Sequence, residues 1–235
     1  MKSPLKIIIV ASGPRHRSSA QAGILYHCGA FGGEGILLTG PSNPKGFFEN
    51  WDIKDLCVIP YIERFLPGRS RGNEKRKSID PKRAPVPFEE PASFYDPPHF
   101  RERVLEILRR QGWDGEQPLF YKMPLATLMC SVWHHAFPEA KWIVLQRDTI
   151  EVRDSMIRQD WLAPVPEGEE QTHGIPYVQM YEKALAALRQ QADVDWRPAD
   201  MEKLLSGDYS EQKALMEWLG LEWNEQAVKR WMEQS

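Results

Sequence analysis

The stretch that decides the fold is residues 5–19, which read LKIIIVASGPRHRSS. Its first half is an unbroken apolar run rich in isoleucine, typical of a strand buried on both faces of a parallel sheet. Its second half is a polar loop, and residues 20–30 then predict a helix of small and apolar side chains. Strand, loop and helix together form the first unit of an α/β fold.

The same alternation continues along the chain. Short apolar runs predict further strands at residues 35–39, 118–122 and 141–146. Helical patterns occur at residues 52–66 (with a kink or break at Pro60), 99–111, 125–137, 149–159, 176–193 and 209–234. We therefore predict a three-layer, P-loop-like α/β fold, with a central, mainly parallel sheet flanked by helices. Ligands of such sheets bind at the carboxyl ends of the strands, so the loops after Ala11 and Gln146 are the places to look for function.

Length and composition narrow the function classes. The chain has 235 residues, which predicts a single domain over residues 1–235. Lys and Arg number 30 and Asp and Glu 33, a net charge of −3, which argues against a bulk nucleic-acid binder. No apolar run approaches the roughly 20 residues of a membrane span, so we expect a cytoplasmic protein without membrane contact. The cysteines are too scattered for a metal or disulfide pattern and predict buried thiols: Cys28, Cys57 and Cys130.

One long segment lacks periodicity. Residues 67–98 are rich in Pro, Gly, Ser and charge, and the part from Gly68 to Arg83 carries seven Lys or Arg side chains. A loop of this length is usually functional or disordered. It is either a solvated excursion or a lid that contacts an acceptor molecule.

The loop after the first strand has the composition of an anion site. Backbone N–H groups at a helix start bind anions, and Arg15, Ser18 and Ser19 would add a cation and two hydroxyls. The alternative is a basic, solvated loop in which one of the two serines caps the helix. No Gly-Lys-Ser/Thr sequence closes the loop, which weighs against a Walker-type ATP or GTP site.

The loop after residue 146 carries a second candidate anion site. Arg147 ends the strand, and Ser155 lies about two turns into the next helix, so both could grip one phosphate. The alternative is an Arg147 paired with Asp148 or Asp154, beside an idle serine.

Together, in this order, the two loops resemble the sulfotransferases that use 3′-phosphoadenosine-5′-phosphosulfate (PAPS), over nearly the whole chain. The family begins with a strand and an Arg/Lys-Ser-Gly-Thr-Ser/Thr loop, and later has Arg-Asp-Pro followed by a serine. Residues 45–49, KGFFE, are similar to a Gly-Tyr/Phe-Phe-Glu segment of its bacterial branch, and residues 218–221, WLGL, to its C-terminal Phe-Leu-Gly-Leu segment. The chain departs from the pattern at Arg17 (glycine in the family), at Thr149 (proline) and after Lys122, where an Asp and an Arg are missing.

The resemblance implies transfer of a sulfuryl group from PAPS to a hydroxyl or amine of a small-molecule or saccharide acceptor, without a metal. It implies Glu49 as general base, with Arg15 and Lys122 as the catalytic cations. Donor binding would fall to the two loops, namely to Gly13, Arg15, His16, Arg17, Ser18, Ser19, Arg147 and Ser155. Rival bases are His16, His99 and the pair His134 and His135, and the rings of Trp51, Trp113 and Trp133 either stack on a sugar or pack in the core.

Two alternatives remain open at this point. A non-catalytic protein that binds PAP, the desulfated donor, would keep the fold, and the departures at Arg17 and after Lys122 would suit it. A phosphoryl-transferring P-loop kinase is the second, although the absent Walker lysine counts against it.

Overall fold

The computed structural model describes residues 5–41, 43–65, 81, 84, 86–89, 99–159, 161–162, 168–169 and 172–233. Most of the segment predicted as a solvated loop or an acceptor lid, residues 67–98, lies outside these residues, so that prediction stays open. Of its described part, Phe88 packs near His134, with ring centroids 6.0 Å apart.

The centre of the fold is a parallel sheet. Its four described strands are β1 (Ile7–Ala11), β2 (Leu119–Lys122), β3 (Lys141–Leu145) and β4 (Asp195–Ala199), in the order β2-β1-β3-β4. All three pairings are parallel, and Val10 lies between Lys122 of β2 and Ile143 of β3. The carboxyl ends of β1, β2 and β3 therefore meet at one edge of the sheet.

Both faces of the sheet are covered. Along β1, Ile7 and Ile9 belong to one cluster of buried apolar residues, whereas Ile8 and Val10 belong to another. Successive side chains of a strand point to opposite faces, so the two clusters are the layers on either side. The predicted three-layer α/β architecture is confirmed.

Eleven helices surround the sheet in the part of the chain that is described. Their bounds are α1 Ser18–His27, α2 Trp51–Ile53, α3 Ile59–Phe65, α4 Phe100–Arg110, α5 Pro124–Thr127, α6 Cys130–Ala136, α7 Thr149–Arg158, α8 Ile175–Arg189, α9 Met201–Leu205, α10 Ser210–Leu219 and α11 Glu225–Glu233. A π-helical turn, Lys54–Val58, joins α2 to α3.

Three predicted elements differ from the structure. Residues 35–37 form a turn and residues 38–39 have no regular structure, so the predicted strand is absent there, and Gly35 has a φ of 68°. The helix predicted over residues 125–137 is two helices, separated at Met129, whose backbone is not helical. The helix predicted over residues 209–234 is two helices, α10 and α11. Gly220, which has a left-handed backbone, ends α10, and the Leu221 N–H donates to the Met216 carbonyl.

The irregularity in the helix over residues 51–65 lies just before Pro60 rather than at it. Proline has no N–H to donate to the carbonyl four residues earlier, so the regular ladder fails there. The N–H of Ile59 instead bonds to the Lys54 carbonyl, which produces the π-helical turn.

The sequence patterns missed β4 and α9. Strand β4 reads DWRPA, has an exposed side, and contains Pro198, which a parallel edge strand tolerates. It shows neither alternation nor an apolar run, so nothing in its sequence predicts a strand. Helix α9 has only five residues.

Candidate functional site

The helix that follows the β1 loop begins without a side-chain cap. Arg17, at the N-cap position of α1, has left-handed backbone angles (φ 62°, ψ 23°), and its side chain makes no capping hydrogen bond to the first turn. By contrast, Asp148 caps α7 and Asp200 caps α9. Neither Ser18 nor Ser19 acts as the cap, so among the described residues the first N–H groups of α1 have no side-chain partner at the carboxyl edge of the sheet.

Arg15 is the centre of one half of this edge. Its Nε donates to Ser155 Oγ at 3.0 Å, and its backbone carbonyl accepts from Arg147 Nη1 at 3.1 Å. Its guanidinium lies 5.4 Å from the ring centroid of Trp161. Burial lowers the pKa of Arg15, and the nearby charges of Arg147 and Arg158 lower it further. The structure thus brings together two arginines and a serine that are far apart in the sequence.

Arg147 has a different acidic partner from the two that the sequence suggested. Its Nε donates to Glu151 Oε2 at 2.9 Å, one turn along α7. Asp148 is occupied as the helix cap, and Asp154 pairs with Arg153. Ser155 is buried and is engaged by Arg15 rather than idle.

Lys122 is the centre of the other half of the edge. Its side chain is only 2% exposed, and its Nζ donates to Glu49 Oε1 at 2.8 Å and to Ser19 Oγ at 3.1 Å. The Glu49 side chain is 13% exposed. Burial lowers the pKa of Lys122, and Glu49 opposes that shift. A carboxylate, an ammonium group and a hydroxyl from three separate elements therefore converge beside the start of α1.

His16 and Gly13 form the underside of the loop. The imidazole is buried, and a Cβ added to Gly13 would lie 2.5 Å from its Cε1 atom, so only glycine fits above it. Burial lowers the pKa of His16. His16 was predicted to bind the donor or to act as a base. In this structure its ring packs inside the loop, so neither role has an exposed His16 side chain to act through.

Arg17 points away from the loop to a helix that the sequence did not predict. Its guanidinium forms an ion pair with Glu202 of α9. Its φ of 62° is the left-handed conformation that glycine adopts without strain. The residue that stands in place of the family glycine therefore has a backbone conformation suited to glycine.

Three contacts of the site were not foreseen. The Thr127 hydroxyl accepts from the Ser12 N–H at 2.9 Å and donates to the Ser12 carbonyl at 2.8 Å, which fixes the loop to α5. Trp161 lies beside Arg15, and Glu202 holds Arg17. Of Thr127, Trp161 and Glu202, only Thr127 has a sequence signal, because it closely follows the end of β2.

The remaining candidates lie apart from this edge or are engaged elsewhere. His134 Nε2 contacts Asp193 Oδ2 at 3.1 Å, and His99 is the N-cap of α4. Trp133 is fully buried and stacks on Tyr121 with centroids 4.6 Å apart, which makes it a core residue.

Trp113 donates to the Gln117 carbonyl, and Trp51 packs on Lys54. The predicted burial of the cysteines is confirmed, and burial raises the pKa of Cys57 to about 11.

Within the described ranges, no set of three or more His, Cys, Asp or Glu side chains is placed to hold a metal ion. Among the same residues, none of the helices has the length and apolar character needed to cross a bilayer.

Solved structures with a similar fold are mycobacterial sulfotransferases. Sulfotransferase STF1 from Mycobacterium tuberculosis H37Rv aligns with 99% of this chain and 72% of its own, with a TM-score of 0.51 and 11% sequence identity. Sulfotransferase STF9 from Mycobacterium avium aligns with 97% of this chain and 67% of its own, with a TM-score of 0.49 and 15% identity. No family model matches the chain, and no curated protein matches it in sequence. The likeness to STF1 shows a sulfotransferase-like fold.

Proposed function

We propose that the protein is a PAPS-dependent sulfotransferase, which transfers a sulfuryl group to a hydroxyl or amine of a small-molecule or saccharide acceptor. The observation that carries the proposal is the convergence of Lys122, Glu49 and Ser19 beside the uncapped start of α1. A buried ion pair next to an anion-binding helix start supplies both a base and a cation for transfer from an anionic donor.

The residues at the edge fit the charge of such a donor. PAPS carries a phosphosulfate at one end of its ribose and a phosphate on the 3′ oxygen. Arg15, Ser18, Ser19 and the N–H groups of α1 would hold the phosphosulfate, and Arg147 with Ser155 would hold the 3′-phosphate. Ser12 Oγ offers a further hydroxyl, since it is buried without a hydrogen-bond partner among the described residues.

The proposed transfer requires only a base and two cations from the protein. The donor supplies the sulfuryl group, whose bond from sulfur to the 5′-phosphate oxygen breaks as the acceptor oxygen or nitrogen bonds to sulfur. Glu49 takes the proton from the acceptor, which makes that atom nucleophilic. Arg15 and Lys122 stabilise the negative charge that moves onto the leaving phosphate oxygen. Lys122 also holds the Glu49 carboxylate in place, because its Nζ donates a hydrogen bond to Glu49 Oε1.

The two alternatives make different demands. A P-loop kinase would bind nucleoside di- or triphosphates without needing a 3′-phosphate, so Arg147 and Ser155 would serve no ligand. A non-catalytic protein would bind PAP without needing a base, whereas Glu49 is held against Lys122 at the helix start.

The test is transfer of radiolabelled sulfate from PAPS to a panel of phenols, amines and saccharides. Glu49→Gln should lower turnover by roughly 10²–10⁴-fold and leave PAP affinity nearly unchanged. Glu139→Gln is the matched control, because that carboxylate is also paired with a cation, Arg101, but before the amino end of β3. Turnover of Glu49→Gln within a few-fold of the unaltered protein would remove Glu49 from the mechanism. PAP binding with no transfer to any acceptor would favour the non-catalytic alternative.

A further inference from the structure

The segment that carries Glu49 is held in an unfavourable backbone conformation. Gly46 has a φ of 112°, and Phe48, a bulky residue, has a left-handed φ of 54°. Such conformations persist in non-glycine residues only where the surroundings impose them, and they cluster at functional sites. Phe48 is also 1% exposed, so its side chain is fixed inside the core.

Both neighbours of Glu49 are locked. The N–H of Phe48 donates to the Ile36 carbonyl at 2.8 Å. On the other side, Asn50 is buried, and its Nδ2 donates to the Gly32 carbonyl at 2.9 Å while its Oδ1 accepts from the Ile53 N–H at 3.2 Å. Glu49 is therefore the partly exposed residue between two immobilised ones.

A tryptophan from the last helix supports this segment. The Trp231 ring packs edge-on against Phe48, with centroids 5.7 Å apart, and its Nε1 donates to the Lys45 carbonyl at 3.3 Å. The Lys45 ammonium in turn bonds to the carbonyl of Met232. Helix α11 thus holds the segment at two points, one on each side of Gly46.

The same ring fits against α1 at a position where only glycine leaves room. A Cβ added to Gly23 would lie 2.3 Å from the Cζ2 and Cη2 atoms of Trp231. The helix whose start faces the donor site and the segment that carries Glu49 are therefore joined through one indole ring.

We infer that Trp231 is a positioning residue for the reaction: it fixes Phe48 and thereby sets where the Glu49 carboxylate stands relative to the start of α1. The inference rests on the proposed function. A general base must lie within hydrogen-bond reach of the proton it removes, and a misplacement of about 1 Å can cost on the order of 100-fold in rate. Trp231 touches no reacting atom, so its effect should fall on kcat and not on donor binding.

Three variants test this. Trp231→Leu removes the ring, Trp231→Phe keeps a ring against Phe48, and Gly23→Ala pushes the indole while placing a better helix former in α1. Leu215→Ala is the control, because it opens the same core cluster from a different helix, α10. Each variant is compared by kcat, acceptor KM, PAP affinity and hydrogen exchange at the Phe47 and Phe48 amides.

Trp231→Leu and Gly23→Ala should lower kcat by about 10- to 100-fold with PAP affinity within about twofold, and should speed exchange at Phe47 and Phe48. Trp231→Phe should recover most of kcat. Equal losses in Leu215→Ala, or an unchanged kcat in Trp231→Leu, would overturn the inference even if sulfuryl transfer is established. If the unaltered protein transfers no sulfuryl group, the proposed function fails, and the exchange rates alone decide whether Trp231 fixes the segment. Unchanged exchange in Trp231→Leu would then overturn the inference.

Discussion

Replacing Lys122 by methionine should destabilise the folded protein strongly, because it leaves the Glu49 carboxylate without its cation. Methionine keeps an unbranched apolar stem and is one atom shorter than lysine, so the packing around a 2% exposed side chain is disturbed little. Breaking a buried ion pair by removing one partner costs about 3–5 kcal/mol. Glu49 is 13% exposed and keeps some hydration, so we expect the lower part of that range, about 3 kcal/mol. For a domain of this size that is roughly a 6–12 °C fall in the midpoint temperature of thermal unfolding.

The assay is urea unfolding at pH 7 of the single variants Lys122→Met and Glu49→Gln and of the double variant. The double variant removes both charges, so it should be more stable than the sum of the single losses predicts, by an interaction free energy of about 1–3 kcal/mol. Lys203→Met is the matched control, because Lys203 pairs with Glu211 at 3.2 Å on the surface. Loss of this exposed ion pair should shift the urea midpoint far less than loss of the Lys122 pair. A Lys122→Met protein as stable as Lys203→Met, or additive single losses, would refute the assignment of Lys122 and Glu49 as a buried coupled pair.

Two further perturbations follow from the loop. Arg17→Gly should raise the free energy of unfolding by at most about 2 kcal/mol, because relief of the left-handed backbone (about 1–2 kcal/mol) outweighs loss of the exposed ion pair with Glu202 (about 0.2–1 kcal/mol). A clear loss of stability in urea unfolding would instead make Arg17 a structural tether. Burial lowers the pKa of His16 in the folded protein, although Glu182 opposes the shift. The stability that the neutral imidazole contributes is therefore complete above about pH 6.5, the ordinary pKa of histidine, and is lost as the pH falls through the lower pKa of the folded protein. His16→Gln should therefore make the unfolding midpoint fall less between pH 7.5 and pH 5, with some pH dependence left from His27. If the midpoint falls with pH as steeply as before, His16 takes up its proton as freely in the folded protein as in the unfolded chain.

Much of the fold follows from local sequence. The apolar run in β1 favoured a doubly buried strand, and the alternation after it implied a parallel sheet with helices on both faces. The edge strand β4 escaped because its register comes from pairing with β3, not from its own residues. With β4 and α9 unforeseen, Glu202 could not be recognised as the partner of Arg17.

The site was less predictable, because its contacts join distant parts of the chain. Lys122 follows a strand, but its pairing with Glu49 depends on a segment whose turns come from Gly46 and Phe48, and no pattern shows that Phe48 is left-handed. The burial of His16 was equally hidden, because a histidine between two arginines suggests a solvated loop. Its true place depends on the space above Gly13.

The proposed function depends most on recognition of a 3′-phosphorylated adenine nucleotide by Arg147. Calorimetric titration of PAP and of ADP into the unaltered protein and into Arg147→Ala tests it most directly. PAP should bind far more tightly than ADP. A hydrogen bond to a charged group contributes about 1.5–3 kcal/mol, so Arg147→Ala should weaken PAP by roughly 10- to 150-fold. Because Arg147 also donates to the Arg15 carbonyl, the loss with ADP measures any general damage to the loop and should be much smaller. Equal affinity for PAP and ADP, or equal loss of both in Arg147→Ala, would contradict recognition of the 3′-phosphate by Arg147.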